Sequence, residues 1–295
     1  MGAAADSRDA PISSLQDHLL ANKANWDERA ALHAPSKEYD AARLVRDKSA
    51  ISDVVSFDLP LLGTISGLDV VHLQCHIGTD TLSLVRLGAK SVVGLDFSST
   101  AVREAQNIAT KAGIEHAKLR YVEADVYDAV QVLGAGAFDL VFTGVGAICW
   151  LPSIRQWAQQ VSRLLKPGGR LFIREGHPVT WSIDETVTDA PGPVIAYPYF
   201  ETAEPVEAES ENTYVDTCGK KLTNKKSASW NHGIGEILTA LLEVGMEITG
   251  FVEHKTIPWV AFPGKMEKAT KPGEWKVVEG QENIPLSYTL QAKKK

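Results

Sequence analysis

Apolar positions along the chain fall into two spacings. Short, mainly apolar runs at Leu68–Leu73, Ser91–Leu95, Lys118–Val122, Ala137–Thr143 and Arg170–Arg174 predict strands. Between the runs lie helical stripes. Leu82, Val85 and Leu87 form the first; Ala101, Val102, Ala105, Ile108, Ala109 and Ala112 the second; Ile154, Trp157, Ala158, Val161, Leu164 and Leu165 the third. Thr79-Asp80, Ser98-Ser99 and the S-x-x-Q sequence Ser153–Gln156 offer N-caps, while Gly88, Gly113 and Lys166-Pro-Gly-Gly169 end the helices. Strand and helix alternating from Leu68 to Arg174 predict an α/β fold with a parallel sheet and right-handed crossovers.

Outside that core the rhythm changes. Residues 1–66 read as an N-terminal helical segment: a small, polar opening through Ser14 expected to fray, then a helix from Leu15 with Leu15, Leu19 and Leu20 on one side, and a further helical stretch over Leu44–Val55. The segment is either an extra layer or a lid, with Trp26, Arg29 or Tyr39 reaching toward a site. After the core (67–175), residues 176–232 are rich in proline (178, 191, 193, 198, 205) and aromatics and read as an inserted cap of extended segments. Residues 233–295 resume the pattern with a helix carrying Ile237, Leu238, Leu241 and Leu242, ended by Gly245, and strands at Met246–Glu253 and Pro285–Ala292. A Pro/Gly-rich loop with Trp259, Phe262 and Trp275 joins those two strands.

Composition narrows the partners. The 295-residue chain carries a formal net charge of −7, which argues against broad binding to nucleic acid or an anionic membrane. No apolar stretch approaches the roughly 20 residues that span a bilayer. No basic-then-apolar start predicts a signal peptide, and Met1-Gly2 is followed by Asp6 where N-myristoylation wants Ser or Thr. Three widely spaced cysteines (75, 149, 218) suit a reducing compartment, so the expectation is a cytoplasmic protein, monomer or homodimer, with Lys293–Lys295 a solvated tail.

The chemistry concentrates at Leu68–Ser98: strand, loop, helix, strand, acid, a βαβ unit suited to the nucleoside half of a cofactor. A dinucleotide would need G-x-G-x-x-G, and the loop Gln74-Cys75-His76-Ile77-Gly78 has one glycine. Asp96, at the end of the second strand, can accept from both ribose hydroxyls, a contact common to NAD and S-adenosylmethionine. Asp125, after the third strand, can meet an adenine amino group on a cofactor that stops short of a dinucleotide.

Over roughly Leu68–Arg174 the sequence resembles the class I S-adenosylmethionine-dependent methyltransferases of small-molecule type. VVHLQCHIG at 70–78 is similar to their motif I, LDFS at 95–98 to motif II, EADV at 123–126 to motif III, FDLVFTGVGA at 138–147 to motif IV, and LLKPGGRLFI at 164–173 to the following helix turn and strand. The resemblance implies a Rossmann-like, seven-stranded, mostly parallel sheet with helices on both faces and a reversed final hairpin. It also implies S-adenosyl-L-methionine as cofactor, S-adenosyl-L-homocysteine as product, and cofactor contacts from Gln74, Cys75, Gly78, Asp96, Phe97, Asp125, Val126 and Gly144, with Trp26 and Tyr39 added from a lid. Where the family usually has an acid in motif I, this chain has His72, and two usual glycines are Gln74 and His76, so the methionine ammonium must find other acceptors.

Methyl transfer needs an aligned nucleophile, a dry site and, for some acceptors, a base. His177 and His232 are the candidate bases, and Trp150 and Glu175 also fall beyond the strand ends. Trp150, Trp181, Tyr197, Trp230 and Trp259 would line a mostly apolar acceptor site for a small organic molecule. His72, Cys75 and His76 invite a metal reading, but they straddle a strand and a loop and no second cluster completes a ligand set, so no metal is expected. A NAD(P)-dependent oxidoreductase and a non-catalytic S-adenosylmethionine-binding protein are the alternatives.

Overall fold

The computed structural model describes residues 14–187, 193–278 and 284–295. The expected fraying of the opening residues concerns positions 1–13, and these, like Pro191, lie outside the described residues.

Three helices come first: α1 (Leu15–His33), α2 (Ala41–Arg46) and α3 (Asp53–Leu62). The single helical stretch expected over Leu44–Val55 is therefore two helices, parted by a turn and restarted where the Ser52 side chain accepts from Val55 N–H. The core follows as β1 (Asp69–Leu73), α4 (Thr79–Arg86), β2 (Ser91–Asp96), α5 (Ser99–Lys111), β3 (Leu119–Glu123), α6 (Ala129–Leu133), β4 (Phe138–Thr143), α7 (Ile154–Leu164) and β5 (Leu165–Gly176). After it come α8 (Pro178–Trp181), β6 (Val206–Glu209), β7 (Lys226–Ser229), α9 (Ile234–Glu243), β8 (Met246–His254), β9 (Thr256–Ile257), β10 (Met266–Lys268), β11 (Trp275–Val277) and β12 (Ser287–Lys294).

The seven-stranded sheet has the order β3-β2-β1-β4-β5-β12-β8. Strands β1 to β5 pair in parallel, and β12 runs antiparallel to both β5 and β8, which is the reversed final hairpin. Val70, Val71 and Leu73 have no exposure because helices cover both faces. One apolar layer joins α2 to α5 with Val70, Leu140, Phe142 and Phe172; the other joins α6, α7 and α9 with Val71, Val141 and Ile173. Ser98 and Ser153 cap α5 and α7 as their sequences predict. At α4 the N-cap is Gly78 (φ 73°) rather than Thr79 or Asp80, since the chain must turn through the left-handed region to leave the loop.

Two additions sit at the carboxyl ends of the strands. A β6–β7 hairpin packs on α1. The stretch expected as a plain Pro/Gly-rich loop contains a three-stranded antiparallel sheet, order β10-β11-β9. Its anchor is a buried bidentate pair in which Arg174 of β5 donates to Glu274 at 3.0 and 2.7 Å, with Phe57 against the guanidinium face at 3.6 Å.

Helix α1 departs from its sequence pattern. Leu15 and Leu20 are 51% and 55% exposed, and the buried face is His18, Asn22, Asn25, Ala30 and His33. Partners from distant segments meet that polar face. Asn22 exchanges two 2.8 Å hydrogen bonds with the Ala228 backbone, Asn25 donates to Asn224 O at 2.6 Å, and Glu28 accepts from the N–H groups of Thr223 and Asn224.

Candidate active site

The loop after β1 is built on three left-handed residues: Gln74 (φ 54°), His76 (φ 49°) and Gly78 (φ 73°). Two of these are not glycine, which costs about 1–2 kcal/mol each, and each side chain makes an offsetting bond. Gln74 Nε2 donates to Ala147 O at 2.7 Å, tying the loop to the end of β4. His76 Nε2 shares a hydrogen bond with His33 Nδ1 at 2.9 Å, and its ring packs edge-on to Trp26 at 5.2 Å. Thus the bulky His76 side chain ties the loop to α1. Gly78 has a second constraint, since a Cβ there would run into the Tyr121 ring, whose hydroxyl donates to Gly78 O at 3.2 Å. Cys75 turns into the core beside Gly94 and Tyr121, so it can offer a cofactor only backbone.

Asp96 is placed by that loop. Its carboxylate accepts from His76 N–H at 2.8 Å and Ser98 N–H at 2.9 Å, one bond per oxygen, which leaves a further lone pair on each for a ribose hydroxyl. Burial lifts its pKa to about 6 against the pull of those bonds. Asp125, past β3, accepts from Tyr127 N–H at 2.8 Å and so caps a short 3-10 turn that begins at the buried Val126; burial raises its pKa as well. Helix α1 crosses above these groups. Lys23 bonds to Phe97 O and pairs with Glu123 at 3.0 Å, and Asp27 accepts from Ser98 Oγ at 2.6 Å and Thr100 N–H at 3.0 Å. Sequence reasoning named Trp26 and Tyr39 but missed Lys23, Asp27, His33 and Thr213, whose roles depend on partners far along the chain.

The 144–150 loop folds around one carboxylate. Glu175 accepts from the N–H groups of Gly146, Ala147 (2.7 Å), Ile148 (2.9 Å) and Gly176 (2.7 Å), so it is consumed in holding the loop. Trp150 Nε1 donates to Gly146 O at 2.9 Å, and its ring meets Trp26 at 5.2 Å. Trp181 stacks on Trp259 (5.6 Å, 21°), and Trp259 lies beside Gly146. A small cavity beyond β5 is lined by Cys149, Glu175, Trp181, Trp230, His232 and Tyr288 among others, with Trp230 Nε1 and Tyr288 Oη both buried and without a hydrogen-bond partner. Of the aromatic residues chosen from sequence, Trp181 and Trp230 line this cavity, Trp259 reaches it only by stacking on Trp181, Trp150 packs on Trp26, and Tyr197, whose N–H bonds to Ser182 O, is not part of the lining.

Both candidate bases have structural work. His177 caps α8, accepting from Val179 N–H at Nδ1 (3.2 Å) while Nε2 meets Glu253 at 3.0 Å. His232 meets Glu201 with Nδ1 at 2.8 Å and the carbonyls of Leu151 and Ile148 with Nε2 at 2.9 and 3.1 Å. Neither ring has a nitrogen left over.

The cofactor implied by the resemblance fits this donor set. Around the strand ends Gln74 Oε1, Thr143 Oγ1 and Trp26 Nε1 are buried without partners, and buried polar atoms are ordinarily satisfied. Comparison with known proteins agrees. Residues 70–169 match the family described as "Methyltransferase domain". The mitochondrial ubiquinone biosynthesis O-methyltransferase of Dictyostelium discoideum is 30% identical over 39% of this chain and 37% of its own length. Malonyl-[acyl-carrier protein] O-methyltransferase 1 of Coxiella burnetii is 31% identical over 52% of this chain and 48% of its own. The chain thus spans less than half the length of these relatives. In fold it is similar to an S-adenosylmethionine-dependent methyltransferase from Mesorhizobium loti (TM-score 0.55, 18% identity, 80% of this chain and 97% of that one). It is also similar to geranyl diphosphate C-methyltransferase from Streptomyces coelicolor, solved with Mg2+, geranyl diphosphate and S-adenosyl-L-homocysteine (TM-score 0.52, 14% identity, 82% and 76%). With strand order and matched segment in agreement, residues 70–169 match a methyltransferase domain, carried on the Rossmann-like fold of class I S-adenosylmethionine-dependent methyltransferases.

Proposed function

We propose that this protein transfers the methyl group of S-adenosylmethionine to a small organic acceptor held beneath its aromatic cap. The observation that carries the reading is Asp96, pinned by two backbone N–H groups at the end of β2 with a lone pair free on each oxygen, inside the matched domain. When bound, the cofactor supplies a methyl carbon made electrophilic by a positive sulfur. Asp96 would hold the ribose, Asp125 and Val126 the adenine, and Gly144 would leave room beside the reacting centre. The α1 lid would exclude water, while Glu175 fixes the loop beneath the acceptor. With both nitrogens of His177 and His232 engaged, the acceptor's own lone pair would be the nucleophile, and the chain's contribution would be alignment. The net charge of −7 supports a small acceptor over a nucleic acid, and the three free cysteines support the cytoplasm.

Incubation with methyl-labelled cofactor and a small-molecule extract should place label in an organic product. Asp96→Ala should lower S-adenosylhomocysteine affinity more than about tenfold, or about 1.4 kcal/mol. Stabilisation by NADH but not by S-adenosylhomocysteine would overturn the reading. Binding of S-adenosylhomocysteine with no labelled product from any acceptor would favour the non-catalytic alternative.

A further inference from the structure

The altered motif I leaves an electrostatic question. An α-amino acid tail brings a cation and an anion into the site, and strand β1 ends in His72 rather than an acid. His72 bonds to Thr81 Oγ1 through Nδ1 at 3.0 Å, and burial lowers its pKa to about 3, so at neutral pH it offers no charge. Asp96 faces the ribose side of the loop. Backbone carbonyls can accept from the ammonium, but only an acid balances its charge.

We propose that Asp80, on the first turn of α4, supplies the acid missing from β1 and receives the methionine ammonium, while Arg29 of the lid receives the methionine carboxylate. The inference rests on the cofactor reading above. A Cβ built on Gly144 would lie 3.6 Å from Asp80 Oδ2 and 3.5 Å from His72 Nε2, so the Asp80 carboxylate adjoins the end of β4. Gln74, on the neighbouring strand end, presents an Oε1 with no partner. On the lid side, Arg29 is aimed by its bonds to Asn25 Oδ1 (2.6 Å) and Thr213 Oγ1 (3.1 Å), with its guanidinium 5.4 Å from the Trp26 ring centre. The hydroxyls of Tyr39 and Tyr214 are hydrogen-bonded to each other. Their pKa values are raised chiefly by burial, and each also feels the Asp80 carboxylate and the Arg29 guanidinium. Neither Arg29 nor Asp80 forms an ion pair among the described residues. A cation and an anion, each lacking a counterion and both acting on one hydroxyl pair, match a zwitterion.

The test compares S-adenosylhomocysteine with 5′-methylthioadenosine, which lacks the amino acid, by calorimetry on the wild-type protein, Asp80→Asn and Arg29→Gln. Each substitution should weaken S-adenosylhomocysteine at least about tenfold while leaving methylthioadenosine within about twofold, and the second ligand doubles as the check on folding. If Asp80→Asn keeps S-adenosylhomocysteine affinity within about threefold, or weakens both ligands alike, the clamp is wrong and the cofactor assignment stands. A wild-type protein that binds both ligands equally well also removes the clamp alone. Binding of neither ligand to wild type removes the cofactor reading and the clamp together.

Discussion

Helices α1 and α7 are held by opposite means. Helix α7 buries Ile154, Trp157, Ala158, Val161 and Leu164, a face held mainly by area and dispersion, with one directional bond from Ser162 Oγ to Val244 O at 3.1 Å. Helix α1 buries His18, Asn22, Asn25 and His33 and leaves Leu15 and Leu20 half exposed. A polar face gains little per bond when every partner is present and loses much when one is missing, because the orphan keeps its full desolvation cost. The apolar helix therefore builds the fold. The polar helix makes a cover that is well defined only when its distant partners are in place.

Three experiments can break or sharpen that contrast. The largest effect belongs to α7: Trp157→Ala, at a side chain with no exposure, should cost about 3–5 kcal/mol of global stability, read as a lower denaturation midpoint. Next is α1: Asn22→Ala strands the N–H and C=O of Ala228, a penalty of about 1–3 kcal/mol. With α1 as the proposed lid, that penalty falls on its docking over the site, and S-adenosylhomocysteine affinity should drop while the denaturation midpoint moves little. Equal losses in both readouts would show that lid and core are one cooperative unit. The smallest effect is acid sensitivity confined to α1. Burial, then the charges of His76 and Arg29, lowers His33 to about 2; burial, then Arg29, lowers His76 to about 3, both well below the ordinary histidine value. When α1 detaches, both rings regain their ordinary basicity and bind more protons, so its docking weakens as pH falls below about 6.5. Protection factors along α1, corrected for the intrinsic exchange rate at each pH, should fall between about pH 6.5 and about pH 4 and hold along α7.

The same contrast explains what could be read from sequence. The strands, α5, α7 and Asp96 were legible because burial against a regular sheet imposes a period, and a period survives without knowledge of the partner. On α1 the leucines marked the wrong face, because the true face is set by backbone groups at 213–228 that leave no local signal. The strands of the β9–β11 sheet, two or three residues long, are too short to show alternation. Gln74 and His76 stood out in sequence as replacements of two usual glycines. They keep a glycine-like backbone (φ 54° and 49°), and their side chains find bonds that a sequence does not display. Histidines 177 and 232 were placed correctly beyond the strands, yet only coordinates show both nitrogens of each already engaged.

The bond between Asn22 and Ala228 joins residues 206 positions apart, and that span has a consequence for how the chain is made. As the polypeptide leaves the ribosome, α1 emerges early and the backbone that satisfies it emerges late, after most of the sheet can have formed. Its asparagines and histidines are solvated by water through that interval. An apolar face of equal size would instead offer nascent chains a surface on which to associate. A cover that must wait for its partners is less hazardous to the cell when the waiting face is polar.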